Sequence, residues 1–330
     1  MNIPDHLAGN VLKDCGPTLG GQWIFELPGL IDRFLGAWGL VPDPAFPQPW
    51  HGYQSIVIPV AGRAGVPLAL RIAAPCPEPI RAHPLERAAL NAWRGRGSVR
   101  LLADDEAGRA SLLERLDATR NLGTVPIADA IPVWGALVRT LSIVPPAGLP
   151  TVADSARGWL ADFPRKAAAL LPAFAEWRAA DHSILRTALE TADMLTGCRT
   201  ALLVHGDLHY YNVLSELNGA GWRAIDPKPI VGPPEYAVAP MLWNRLYELP
   251  GHTPAEQSDA LRARSAALAV SAGLDVELTR RLSIARELEN MFWALADNAQ
   301  ADAARSLWVC RALAGADVGR TDARSLARLV

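Results

Sequence analysis

Three side chains that carry oxygen ligands lie close together in one short block of the sequence. Asp207 and Asn212 are separated by four residues, and Asp226 follows the second of two apolar runs. The runs Val213–Ser215 and Trp222–Ile225 are joined by a segment that contains Asn-Gly, which predicts a β-hairpin. Because a hairpin brings its two ends together, we expect Asn212 and Asp226 to face one another, with Asp207 nearby.

These residue types suit phosphoryl transfer. Carboxylate and amide oxygens are hard ligands for Mg²⁺, which takes its other ligands from water and nucleotide phosphates. Asn212 and Asp226 are therefore the candidate metal ligands. Asp207 need not touch the metal, since it can accept the proton of a substrate hydroxyl as the oxygen attacks phosphorus.

The same block resembles a known family. His205-Gly-Asp-Leu-His209, with Asn212 shortly after and then Ile225-Asp-Pro227, is similar to the catalytic motifs of aminoglycoside phosphotransferases. Four further motifs resemble the branch that contains streptomycin 6-phosphotransferases and hydroxyurea phosphotransferases: Asp226–Gly232, Pro240–Asn244, Trp93–Leu102 and Leu112–Leu116.

The resemblance implies an α+β fold of the two-lobed protein-kinase type that uses ATP and Mg²⁺. Residues 1–116 would form the strand-rich nucleotide lobe, and residues 117–330 the mainly helical catalytic and substrate lobe. Asp207 would be the catalytic base, and Asn212 and Asp226 the metal ligands. The acceptor would be a hydroxyl group of a small molecule, either an aminoglycoside phosphorylated as streptomycin is at its 6-hydroxyl or a related hydroxylated compound.

The resemblance also assigns residues in the nucleotide lobe. Glu86 matches the helix glutamate that pairs with a strand lysine, and Arg71 stands where that lysine is expected. Gly52 and Ser55 are expected in the loop over the nucleotide phosphates. Glu114 and Leu116 are expected in the hinge whose backbone contacts adenine.

Two departures from the family pattern leave the activity open. Arg71 keeps the positive charge, but a planar guanidinium is bulkier and directed differently from an ammonium group. Ala237 occupies a position where relatives commonly carry an acidic residue. The chain is thus either an active kinase or a catalytically weak or inactive nucleotide-binding protein.

Two histidines suggest a further alternative, a metal hydrolase built on His205, Asp207, His209 and Asp226. The remaining histidines are scattered and form no matching ligand pattern. We expect His205 and His209 to support the loop through hydrogen bonds instead.

A later helical segment offers a candidate acceptor site. Glu289, Trp293 and Asp297 recur at four-residue steps, which places them on one helix face with Asn290 nearby. Carboxylates and an aromatic ring could bind a cationic sugar. The alternative is that Trp293 belongs to the core.

Hydrophobic periodicity predicts the elements that position these residues. A strand-rich first half and a helical second half are expected, with Glu114–Leu122 as the connection. The predicted elements are a helix over 22–40, a hairpin of Ser55–Val60 with Leu68–Ile72, a helix over 84–93, strands over 99–102 and 110–116, and helical stretches over 151–176, 181–196, 256–270 and 277–297.

Composition excludes several classes of function. The 330 residues carry a net charge of −2 without a basic run, which argues against nucleic-acid binding. The sequence shows no export signal and no apolar stretch long enough to span a membrane, so no membrane partner is expected. Four widely spaced cysteines predict free thiols and a cytoplasmic location. The sequence carries no signal that fixes an oligomeric state.

Overall fold

The structure, a computed structural model, describes residues 3–76 and 82–328. The chain forms two compact units. Unit 1 contains Met1–Arg120 and Leu214–Lys228, and unit 2 contains Asn121–Val213 and Pro229–Val330. The lobes predicted for residues 1–116 and 117–330 stay a proposal, and the units differ from them in assigning the 214–228 segment to the first unit.

The helices and strands alternate early in the chain, and helices dominate later. In chain order they are α1 (Asp5–Trp38), β1 (Val41–Pro42), β2 (Trp50–His51), β3 (Ser55–Ala61), β4 (Pro67–Ala73), α2 (Ala82–Trp93), β5 (Leu101–Asp105), β6 (Ala110–Glu114), β7 (Leu116–Asn121), α3 (Ile127–Leu141), α4 (Val152–Leu170), α5 (His182–Thr196), β8 (Leu202–Val204), β9 (Val213–Glu216), β10 (Trp222–Ala224), β11 (Ile230–Gly232), α6 (Ala239–Trp243), α7 (Pro254–Ala272), α8 (Val276–Ala296) and α9 (Gln300–Ala314).

The main sheet of unit 1 has the strand order β1-β3-β4-β6-β5, and β2 pairs with β3. The predicted hairpin is present, since β3 and β4 pair antiparallel with Ser55 opposite Ala73. β4 also pairs with β6, which places Arg71 opposite Ser111. Arg71 therefore lies on a central strand with a partner on each side.

Helix α1 covers the apolar side of this sheet and is longer than the predicted helix over 22–40. It begins at Asp5 and changes direction at Gly16, whose φ is 75°. It ends as predicted at Gly39, which adopts the left-handed conformation that favours glycine. Leu27 and Phe34 of α1 share a core with Ile56 of β3.

The second sheet has the order β10-β9-β7 and contains the predicted hairpin around the Asn-Gly turn. The Glu216 amide donates to the Gly221 carbonyl at 2.9 Å across that turn. Most of the Glu114–Leu122 segment, which was expected as the connection, is the strand β7, because β9 supplies backbone partners for it. The strand expected over 99–102 instead runs over Leu101–Asp105.

The cysteine prediction was wrong for one pair. Cys15 of α1 and Cys76, which follows β4, form a disulfide, whereas Cys198 and Cys310 are free. The pair is 61 residues apart in sequence, so spacing alone gave no signal for it. The cysteines consequently do not indicate a reducing compartment.

Unit 2 consists of packed helices and the two-stranded sheet β11-β8. The four predicted helical stretches correspond to α4, α5, α7 and α8, while α3 and α9 were not predicted. Within this unit α8 packs against α9, α4 against α5 and α3 against α7. Among the described residues, no helix is both long enough and apolar enough to cross a membrane.

Candidate active site

Arg71 bridges two carboxylates within unit 1. Its Nη1 donates to Glu86 Oε2 of α2 at 2.6 Å, and its Nη2 donates to Asp226 Oδ1 at 3.1 Å. The side chains of Arg71 and Glu86 are 12% and 4% exposed, whereas that of Asp226 is 47% exposed. The predicted pairing of Arg71 with Glu86 is therefore present, and Asp226 is a second partner that the sequence did not indicate.

The electrostatics of this triad are set by burial. Burial raises the pKa of Glu86 to about 7, against the attraction of Arg71, which lowers it. Burial lowers the pKa of Arg71, but the charges of Glu86 and Asp226 outweigh it and the net shift is upward. Buried charges are costly unless they are paired, so such an arrangement marks a candidate functional site.

Asp226 adopts an unusual backbone conformation. Its φ is 53°, in the left-handed region that residues other than glycine seldom occupy. Aspartate tolerates this conformation better than most residues do. Asp226 lies two residues after the end of β10, and its carboxylate contacts Arg71. Such conformations cluster at functional sites.

In unit 2, the segment after β8 forms a compact loop around Asp207. The Asp207 carbonyl accepts hydrogen bonds from the His209 amide at 3.0 Å and from Asn212 Nδ2 at 2.9 Å. Because the amide nitrogen of Asn212 is used within the loop, its Oδ1 is the atom left for a hard cation. The loop thus brings the expected base and one expected metal ligand together.

Both histidines of the motif support this loop, as expected. His205 is buried, and its Nδ1 accepts a hydrogen bond from the Asp207 amide at 3.3 Å. His209 Nδ1 accepts one from the Tyr211 amide at 3.2 Å. Within residues 3–76 and 82–328, no three His, Cys, Asp or Glu side chains are grouped as a metal-binding cluster. The arrangement gives no support to the metal-hydrolase alternative.

Trp134 is a loop contact that sequence reasoning missed. It is fully buried in α3, and its Nε1 donates to the Leu208 carbonyl at 2.9 Å. The sequence pattern around Trp134 predicts only a buried core residue. It cannot predict a hydrogen bond from the indole to a loop that is distant in sequence.

The expected phosphate loop is a tight turn between β2 and β3. The Gly52 amide donates to the Ser55 carbonyl at 2.9 Å. A Cβ on Gly52 would lie 3.1 Å from Ser55 Oγ, so the turn leaves little space for a larger residue. Ser55 is buried, while Tyr53 at the tip of the turn is exposed. Nucleotide contact by Gly52 or Ser55 stays a prediction.

The expected hinge residues occupy the junction of β6 and β7. Glu114 ends β6, and its Oε1 accepts a hydrogen bond from the Arg100 amide at 2.8 Å. Leu116 begins β7 and is buried. Glu114 also lines an open groove of about 460 Å³, which includes the side chains of Arg94 and Arg223. Adenine contact by this junction stays a prediction.

The candidate acceptor face lies on α8 and its C-terminal end. Trp293 is 55% exposed, so it is not a core residue. Burial raises the pKa of Glu289, and the positive charge of Arg286 opposes that shift. Asp297 is exposed and caps the helix. Asn290 Nδ2 donates to Glu287 Oε2 at 2.9 Å, so its amide nitrogen is already engaged.

Among the expected site residues, direct contacts join two sets. Unit 1 joins Arg71, Glu86 and Asp226 through direct ion pairs. Unit 2 joins Asp207 and Asn212 through a hydrogen bond. The predicted facing of Asn212 and Asp226 stays a prediction.

Solved structures with the same architecture are kinases of small molecules. Aminoglycoside phosphotransferase APH(4)-Ia superposes with a TM-score of 0.55 at 16% identity, covering 89% of this chain and 100% of that one. A choline/ethanolamine kinase family protein from Mesorhizobium loti gives a TM-score of 0.55 at 16% identity, covering 86% and 94% of the two chains. These likenesses define the fold as that of the aminoglycoside phosphotransferases and confirm the α+β, protein-kinase-like prediction.

The family follows from closer matches. Residues 38–298 match the family described as aminoglycoside/hydroxyurea antibiotic resistance kinase, and the chain belongs to that family. Streptomycin 6-kinase of Streptomyces glaucescens is 32% identical over 317 residues, covering 96% of this chain and 98% of the relative. Hydroxyurea phosphotransferase of Kitasatospora aureofaciens is 33% identical over 320 residues, covering 96% and 86%. The resemblance noted in the motifs is confirmed.

Proposed function

We propose that this chain transfers the terminal phosphoryl group of ATP to a hydroxyl group of an aminoglycoside of the streptomycin type, with Mg²⁺ as cofactor. The observation that carries the proposal is the buried ion pair of Arg71 and Glu86. A central strand and a helix meet there, and hydrophobic packing alone gives no reason to bury an arginine against a carboxylate. Family membership supports the same reaction class.

Each residue has a distinct task in this reaction. Arg71, held by Glu86, would pair with the nucleotide phosphates in place of a lysine. Asp207 would accept the proton of the acceptor hydroxyl as its oxygen attacks phosphorus. The hydrogen bonds around the Asp207 carbonyl fix the loop, so the carboxylate is oriented before the acceptor arrives.

The residues present suit a magnesium ion. Asn212 directs its amide nitrogen into the loop, and about half of the Asp226 side-chain surface is exposed, which leaves oxygen ligands for a hard cation. When bound, Mg²⁺ supplies charge neutralisation on the nucleotide phosphates. We assign Asn212 and Asp226 as the residues that hold it.

The acceptor would bind at the α8 face. An exposed indole and nearby carboxylates suit a sugar that carries ammonium or guanidinium groups. Trp293 would provide the stacking surface, and Glu289 and Asp297 the negative charge. Asn290, already bonded to Glu287, would support this face rather than donate its amide to the acceptor.

A second candidate function is a catalytically weak or inactive nucleotide-binding protein. It is favoured by one observation, namely that Arg71 pairs with Asp226 as well as with Glu86. A guanidinium on that carboxylate competes with a cation for the same oxygen atoms. Any ATP-dependent turnover with a hydroxylated acceptor decides between the two functions.

The proposal is tested by incubating the purified protein with Mg-ATP and separate acceptors: streptomycin, a second aminoglycoside, hydroxyurea and a simple aminosugar. Mass spectrometry of the acceptor should reveal one added phosphoryl group on streptomycin. Phosphorylation of hydroxyurea alone would support ATP-dependent phosphoryl transfer and contradict the proposal that the acceptor is an aminoglycoside. If Mg-ATP binds and no acceptor is phosphorylated, the second function stands.

A further inference from the structure

The peptide group between Gly206 and Asp207 is held on both sides. Arg286 of α8 donates from Nη2 to the Gly206 carbonyl at 3.0 Å. On the other side, the Asp207 amide donates to His205 Nδ1 at 3.3 Å. Gly206 has a φ of 75°, a conformation that glycine adopts readily and other residues resist. The orientation of this peptide fixes where the Asp207 side chain begins.

Arg286 is itself held in place. Its Nη1 donates to the Tyr236 carbonyl at 2.7 Å. Its guanidinium carbon lies 4.0 Å from the ring centroid of Tyr236 and 5.3 Å from that of Trp243. One planar group thus bonds two carbonyl oxygens and packs on aromatic rings, an arrangement that lysine cannot reproduce.

We propose that Arg286 is a positioning residue for phosphoryl transfer, acting through the Gly206–Asp207 peptide on the Asp207 carboxylate. The inference rests on the proposed function. It gives Arg286 a task that the sequence analysis did not assign to it.

The position of Arg286 along α8 extends this role. Glu289 and Trp293 of the candidate acceptor face follow within two turns on the same helix. A single rigid element therefore carries both the acceptor face and the anchor of the catalytic loop. Since reaction rates fall steeply when reacting groups are misplaced, this helix would set the distance between the acceptor hydroxyl and Asp207.

Two substitutions and a matched control test the inference. Arg286→Met keeps an unbranched apolar stem and removes the charge and all hydrogen-bond donors, and Arg286→Lys keeps the charge without the planar fork. Arg281→Met is the control, because Arg281 also lies on α8 but contacts Thr191 and Glu190 of α5. A displaced loop should lower kcat of Arg286→Met roughly 10- to 100-fold with little change in KM for ATP. The kcat of Arg286→Lys should lie between those of Arg286→Met and the wild type. Arg281→Met should keep the wild-type kcat.

Hydrogen exchange gives a readout that needs no acceptor. The amides of His209 and Asn212 donate to carbonyls within the loop, so they should exchange faster in Arg286→Met than in wild type or Arg281→Met. Unchanged exchange together with an unchanged kcat would overturn the inference, as would an equal loss of kcat in the control. A wild-type protein that phosphorylates nothing would refute the proposed function, and the exchange rates would still decide whether Arg286 anchors the loop.

Discussion

At the scale of single residues, Arg71 carries the main departure from the family pattern. The sequence predicted its pairing with Glu86 because a strand cation and a helix carboxylate fall at the family's positions. It did not predict the contact with Asp226, since 155 residues separate the two partners. A long-range ion pair of this kind depends on how strands from distant parts of the chain meet.

Arg71 also yields the sharpest test of nucleotide binding. Arg71→Ala leaves Glu86 without its partner and removes the charge expected to meet the phosphates. The loss of a charged hydrogen bond costs about 1.5–3 kcal/mol, so the Kd for Mg-ATP should rise roughly 10- to 100-fold. Arg71→Lys should preserve or increase phosphorylation if the chain is an active kinase. Isothermal titration calorimetry measures the affinities.

The control for this series is Arg87→Ala, because Arg87 lies on the same helix as Glu86 and pairs with Asp104 and Glu106 of unit 1 instead. Its Mg-ATP affinity should match that of the wild type. Equal affinities for wild type, Arg71→Ala and Arg71→Lys would remove Arg71 from the phosphate site.

At the scale of elements, the sequence predicted the helices and hairpins that depend on the local pattern of residues. Two β-rich runs separated by a segment with two glycines predicted the β3–β4 hairpin, and the Asn-Gly turn predicted the β9–β10 hairpin. It missed β7, because Leu116–Asn121 becomes a strand only through pairing with β9. It also missed α3 and α9, whose buried positions are decided by packing against other helices.

The α8–α9 pair provides a prediction about pH. Glu287 is buried, and burial raises its pKa to about 7, partly opposed by the charge of Arg305. Its ordinary pKa is 4.5, so the folded state binds the proton more tightly than the unfolded state in the window between these values. The stability that the neutral carboxyl provides is fully present below pH 4.5 and is lost as pH rises through about 7.

Glu287→Gln does not titrate, so its melting temperature relative to wild type should rise between pH 4.5 and about 7 and then level off. Glu190→Gln serves as the control, because that side chain is 60% exposed on α5. Its curve should parallel the wild type throughout. A constant offset between Glu287→Gln and wild type over the same window would contradict the raised pKa.

At the scale of the whole molecule, the expected site residues are divided between the two compact units of the chain. The resemblance of the motifs and their spacing predicted the fold class and named the candidate site residues. They did not predict that the 214–228 hairpin belongs with the first unit, since the chain enters unit 1 there for the second time. Such a return is a property of topology, and no local pattern along residues 214–228 encodes it.

The Cys15–Cys76 disulfide gives a prediction about unit 1. It closes a loop across a separation of 61 residues and so restricts the unfolded chain. Cys76→Ser should lower the free energy of unfolding by about 2–4 kcal/mol. The control Cys198→Ser should leave it unchanged, because Cys198 is free.

Urea unfolding with and without dithiothreitol measures both effects. The reductant should bring the wild type to the stability of Cys76→Ser and leave that variant unaffected. A reduced wild type as stable as the oxidised form would show that the bond contributes nothing to the stability of unit 1.

The most direct test of the account is the turnover of Asp207→Asn. The substitution keeps the shape of the side chain and removes the proton acceptor, so kcat for streptomycin phosphorylation should fall about 10²- to 10⁴-fold with Mg-ATP affinity unchanged. Asp193→Asn, on the exposed side of α5, should behave as wild type. Steady-state kinetics with an ATP-coupled assay gives both values. A turnover of Asp207→Asn within about threefold of wild type would contradict the assignment of Asp207 as the catalytic base.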